Sequence, residues 1–111
     1  MTSVRARMLL LLASVALIAW IAAPAAAQDA IKIGFFAPIT GPAAADGASA
    51  KQAVELGAKE VNAAGGIMGR KIDLIVYDDR FSPQEAVAIA NKLIEKDQVV
   101  GVVSGSYSGP T

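Results

Sequence analysis

Residues 61–79 read Val-Asn-Ala-Ala-Gly-Gly-Ile-Met-Gly-Arg-Lys-Ile-Asp-Leu-Ile-Val-Tyr-Asp-Asp, and no other stretch limits the fold of this chain so strongly. An amphipathic run ends at Asn62. Gly65-Gly66 stops it, because glycine readily takes the left-handed conformation that closes a helix. A second turn at Gly69 leads into an apolar strand over residues 72–76, closed by the acidic pair Asp78-Asp79. Helix, double-glycine turn and strand make half of a βαβ unit, so the segment predicts an α/β fold with a parallel sheet.

The remaining patterns extend that unit on both sides. Ile31, Ile33 and Phe35 alternate with Lys32 and Gly34, and Phe36-Ala37 continues the run, which predicts a central first strand over residues 31–37. Residues 38–47, rich in Pro, Gly and Ala, read as a loop. A helix follows over residues 47–62, with Ala50, Ala53, Val54, Gly57, Ala58 and Val61 on one stripe, Lys51, Glu55, Lys59 and Glu60 facing away, and Asp46 as the candidate N-cap. The second strand is expected at residues 71–77. Ser82-Pro83-Gln84-Glu85 is a capping box with proline at the first helical position. The helix it opens carries Ala86, Ile89, Ala90 and Leu93 on its apolar stripe and places Lys92 and Lys96 near the negative end of its dipole. Residues 99–103, Val-Val-Gly-Val-Val, read as a third, parallel strand. With right-handed crossovers the order β-α-β-α-β gives a sheet ordered 2-1-3 with one helix on each face, a three-layer αβα arrangement. Its valine strand lies at an edge with no helix after it, which predicts the N-terminal piece of a larger protein.

Residues 1–27 stand apart from this pattern. Arg5 and Arg7 form a basic start, residues 8–23 an apolar core, and Pro24 precedes the small-residue run Ala25-Ala26-Ala27. That is the layout of a secretory signal peptide cleaved after Ala27, leaving residues 28–111. This remainder holds 8 Lys and Arg against 10 Asp and Glu, so its charge offers no attraction to nucleic acid or an anionic membrane surface. The sequence contains neither cysteine nor histidine. Disulfides, a lipid-attachment cysteine, typical zinc ligand sets and Ser-His-Asp or Cys-His catalysis are therefore closed to these residues. The glycines follow a helix rather than open one, so no dinucleotide fingerprint is present, and no cofactor or metal is expected. Asp78-Asp79 reads as a turn pair: neighbouring strand residues point to opposite faces, and no third ligand lies nearby.

Residues 61–79 resemble, almost position for position, a stretch of the periplasmic leucine/isoleucine/valine-binding family, the ligand-binding subunits of ABC importers. The resemblance covers residues 28–111 and the start of that family's first lobe. It implies a type I periplasmic-binding fold, no enzymatic activity and a periplasmic location. The implied ligand is a branched-chain amino acid or related small carboxylate, and the implied partner an inner-membrane ABC permease. A ligand-sensing ectodomain or amide-sensing regulator of the same fold is the alternative.

In open α/β sheets, ligands bind beyond the carboxyl ends of the strands, where the strand order switches. For the order 2-1-3 that crevice falls between strands one and three. It is lined by Pro38-Ile39-Thr40-Gly41-Pro42 and by residues 104–111, both rich in hydroxyls and glycines. The first helix points its amino end the same way. The resemblance puts the serine that holds the ligand's carboxylate at Ser108, with Ser106 and Tyr107 beside it, and makes Thr40 and Gly41 border the ligand. Asp46 falls where branched-chain amino-acid binders often carry an aromatic residue against the ligand side chain. An acid there departs from the family, and a helix cap is its preferred reading.

Overall fold

Both faces of the strand β1 (Ile31–Ala37) are apolar, and its last four residues, from Gly34 to Ala37, are buried. Such a strand belongs in the middle of a sheet. In the computed structural model, which describes residues 29–104 and 107–109, β1 pairs in parallel with β2 (Ile72–Asp78) on one side and β3 (Gly101–Ser104) on the other. The sheet order is β2-β1-β3, as expected. Ala37 stands opposite Asp78 and Phe36 opposite Ser104, so all three strands end at one level. The expected signal peptide and Ser106 lie outside the described residues.

One face of the sheet receives the helix α2 (Pro83–Glu95). Phe36 packs there with Ala86, Ile89 and Leu93, and Ile75, Tyr77 and Val99 surround them. Leu93 is fully buried, and its methyl groups sit 2.7 Å from where a Cβ on Gly34 would stand. Only glycine lets the leucine that close. Ser82 caps α2 as the sequence predicted: its Oγ accepts from the Glu85 N–H at 3.3 Å, and Pro83 follows. The second arm of the box is replaced, because the Ser82 N–H donates to the Asp79 carbonyl at 2.8 Å.

The helix α1 (Ala44–Ala63) covers the other face. It starts before Asp46, with Ala43 in the cap position and no side-chain cap, so the expectation of Asp46 as N-cap is corrected: the residue lies in the first turn. Gly47 is the buried residue of α1, and a Cβ there would meet the Pro38 carbonyl oxygen at 2.0 Å. The helix backbone thus lies directly on the loop after β1. Ala50, Val54, Ala58 and Val61 are half-buried, but Ala53 and Gly57, expected on the same stripe, are exposed. A helix resting mainly on β1 and β2 touches them along a line of about one residue per turn, narrower than the sequence stripe. At its far end Gly65 and Gly66, with φ of 105° and 79°, close the helix as expected. The Asn62 side chain then clamps the start of β2, donating to the Ile72 carbonyl at 2.9 Å and accepting from the Ile72 N–H at 2.7 Å.

The third strand is shorter than its valine run. Val99 and Val100 precede it: the Val99 N–H donates to Leu93 at 3.1 Å, closing α2, and the Val100 N–H donates to Lys32 at 2.9 Å. β3 forms an edge, and Val100, Val102 and Val103 are 74%, 40% and 48% exposed.

Candidate functional site

Two junctions meet at the carboxyl ends of the strands, and their chemistry differs. Between β1 and β2 stands Asp78. Its Oδ1 accepts from the N–H groups of Ile39 at 2.9 Å, Thr40 at 3.2 Å and Arg80 at 2.9 Å, and its Oδ2 accepts from the Thr40 hydroxyl at 2.5 Å. Burial pushes this carboxyl up, but the Thr40 hydroxyl and the three N–H groups outweigh it and hold its pKa below the usual 3.8. Asp79, 1% exposed, accepts from the Phe81 N–H at 2.9 Å. Each acid therefore organises a turn, in keeping with the turn-pair reading. Among the described residues no group of three or more His, Cys, Asp or Glu is placed to hold a metal ion.

Between β1 and β3 the chain leaves a more open arrangement. The Tyr107 hydroxyl, just past β3, donates to Asp46 Oδ2 in the first turn of α1. The phenol's pKa is raised, first by that hydrogen bond to a carboxylate, then by desolvation and the Asp46 charge. The Tyr107 ring meets Phe81 edge to face, with centroids 5.0 Å apart and an interplanar angle of 84°. Phe81 is 42% exposed, and both it and Arg80 have left-handed backbones, with φ of 62° and 52°. Such angles are costly for bulky residues and cluster at functional sites.

The sequence-derived candidates thus separate. Asp46, in the first turn of α1, and Tyr107, in the chain after β3, are brought into contact. Ser108 lies next to Tyr107 in an exposed turn, and Gly41, with φ of 87°, lies in the loop on the β1 side. Thr40 sits in that loop, but its hydroxyl is engaged by Asp78, so its side chain serves the β1–β2 junction. Phe81 was not a candidate from the sequence. An aromatic residue before a capping box reads as a staple or a turn filler, and its backbone strain is visible only in three dimensions. A separate hollow, lined by Asp29, Ala30, Lys32, Arg70, Gln98 and Val100, lies at the opposite end of the sheet.

In a parallel αβα sheet the strand-order switch is where ligands commonly bind, and the fold by itself does not name a function. The family model for periplasmic binding proteins matches residues 30–111. Over 95 residues the chain is 37% identical to the leucine-, isoleucine-, valine-, threonine- and alanine-binding protein of Pseudomonas aeruginosa, covering 84% of this chain and 26% of that one. Among solved structures it is similar to the branched-chain amino acid transporter substrate-binding protein LivJ of Streptococcus pneumoniae in complex with isoleucine. There the TM-score is 0.71 at 34% identity, over 73% of this chain and 23% of that one. A solute-binding protein of an ABC transporter from Rhodopseudomonas palustris, in complex with 3,4-dihydroxybenzoic acid, matches with a TM-score of 0.65 at 27% identity, over 74% of this chain and 22% of that one. The chain belongs to the periplasmic binding protein family, and the curated relatives it resembles include Leu/Ile/Val-binding proteins. It spans about a quarter of the length of the curated relatives it matches.

Proposed function

We propose that residues 28–111 form the amino-terminal portion of lobe 1 of the solute-binding subunit of an ABC importer. Residues 1–27 then act as a signal peptide, removed on export to the periplasm. The ligand is a branched-chain amino acid or a related small carboxylate. The protein closes two lobes around it by a hinge motion, and the closed form docks on an inner-membrane permease.

The observation that carries this reading is the unequal use of donors at the two junctions. At the β1–β2 junction, backbone N–H groups and the Thr40 hydroxyl all converge on Asp78. At the β1–β3 switch point, the chain after β3 carries Ser108 in an exposed turn, and α1, whose first turn meets neighbouring Tyr107, has no side-chain cap. Uncapped N–H groups and a hydroxyl suit a carboxylate. The relatives' ligands agree, since isoleucine and 3,4-dihydroxybenzoic acid share a carboxylate.

Ser108 is the residue that tests it. In the intact two-lobed protein, Ser108→Ala weakens carboxylate binding by about 1.5–3 kcal/mol, the scale of a hydrogen bond to a charged group. The unfolding midpoint stays where it was, because Ser108 is exposed. Titration calorimetry with leucine and denaturant melts measure the two effects. Unaltered affinity would remove Ser108 from the carboxylate site.

A further inference from the structure

Between α1 and β2 the chain reverses through Ile67-Met68-Gly69-Arg70. Ile67 and Arg70 face each other across an antiparallel bridge. The Ile67 N–H donates to the Arg70 carbonyl at 2.8 Å, and the Arg70 N–H to the Ile67 carbonyl at 2.9 Å. Both residues between them are left-handed, with φ of 52° at Met68 and 80° at Gly69. A two-residue turn of this kind suits Asn or Gly, and a long side chain is held in it at a cost. Burial does not offset that cost, because Met68 is 91% exposed. The turn precedes β2, which places it at the amino ends of the strands, away from Tyr107 and Ser108.

Composition gives this side chain a chemistry of its own. Cysteine and histidine are absent from the sequence, the single tryptophan is Trp20, and Met1 and Met8 also fall within residues 1–27. Over residues 28–111, Met68 therefore supplies the only sulfur atom. A thioether reacts through a sulfur lone pair, and its susceptibility follows its access to the oxidant. No thiol in this stretch competes for the oxidant, and the turn leaves the thioether open to solvent.

We propose that Met68 is an oxidation site, taking one oxygen atom from a peroxide without disturbing the fold. The sulfur attacks one peroxide oxygen, and the S–O bond forms as the O–O bond breaks. The departing oxygen takes up the proton of the transferred one and, from hydrogen peroxide, leaves as water. The sulfur is oxidised by two electrons to the sulfoxide, and the peroxide is reduced by two. A sulfoxide is polar and disrupts a core, but at this tip it projects into water. The inference is independent of the solute-binding reading.

The test treats the intact protein with hydrogen peroxide, digests it with trypsin at intervals and follows the peptide of residues 60–70 by mass spectrometry. Lys59 and Arg70 supply the cleavage points on either side of Met68. In the folded protein this peptide gains one oxygen at a rate within about twofold of that in protein unfolded by guanidinium, because the sulfur is already accessible. Size-exclusion chromatography of partly oxidised protein finds the same sulfoxide fraction in the folded monomer as in the whole sample. Met68→Leu, which removes the sulfur, leaves the peptide at its original mass. Oxidation slowed about tenfold or more by folding would show a covered sulfur and overturn the inference. Depletion of the sulfoxide from the folded monomer, or an oxygen gained by the Met68→Leu peptide, overturns it as well.

Discussion

The two junctions at the carboxyl end of the sheet use similar residues to opposite ends. Between β1 and β2, Asp78 gathers three backbone N–H groups and the Thr40 hydroxyl, and the junction is locked. Between β1 and β3, among the described residues, Asp46 accepts from the Tyr107 hydroxyl, and Val102 and Val103 of the neighbouring strand are partly exposed. One acid is saturated from within the protein and the other retains capacity. The hydrogen bonds that tie the carboxyl ends of the strands together are therefore concentrated at the β1–β2 junction.

The largest expected effect falls on the open side. Residues 28–111 expressed alone present β3 as an unpaired apolar edge, a template for edge-to-edge association. The expected outcome is aggregation or a broad, non-cooperative melt, with no leucine binding at micromolar concentration. Size-exclusion chromatography and a thermal scan decide it. A soluble monomer with a sharp transition raised by leucine breaks the contrast, because the open side would then need no cover.

Next comes the locked junction. In the intact protein, Asp78→Ala strands four donors at a partly accessible site and lowers stability by about 2–3 kcal/mol, after water replaces part of what is lost. The contribution of Asp78 also has a definite pH window. Its folded pKa lies below 3.8, so the stabilisation is fully present above that value. It is lost as pH falls below 3.8 through the lower folded value. Denaturation midpoints measured from pH 6 down to about pH 2 lose this component in Asp78→Asn. Tyr107→Phe, the matching change on the open side, leaves the midpoint at neutral pH unmoved. Equal losses from the two substitutions would erase the distinction between the junctions.

The smallest effect touches neither junction. Gly57 lies mid-helix in α1, and a Cβ there would meet no atom within 4 Å. Gly57→Ala is expected to raise stability by about 0.5–1 kcal/mol through helix propensity alone. A loss, read from the same melts, would mean that the outward face of α1 is covered in the intact protein.

Much of the fold was legible because it is written in local patterns. The alternation over residues 31–37 marked β1 to the residue, Ser82 and Pro83 marked the start of α2, and Gly65-Gly66 marked the end of α1. Handedness rules then gave the sheet order. The start of α1 was missed because it has no side-chain cap to read, and Asp46 offered a plausible false one. The stripe on α1 was drawn too wide because alanine and glycine are as ordinary on an exposed helix face as on a buried one. The site was legible as a place and only partly as a set of residues. Topology pointed to the region between β1 and β3, whereas the hydrogen bond from the Thr40 hydroxyl to Asp78 was visible only in three dimensions.

By itself, the sequence determined the class of fold and the order of its elements. Those follow from periodicity and chain stiffness, which act over a few neighbouring residues. Only the tertiary structure decided which acid is consumed and which remains available, and that Tyr107 meets Asp46, 61 positions away. The physical reason is that a hydrogen bond depends on where two groups end up in space, and for groups that far apart the packing of the elements between them sets the answer.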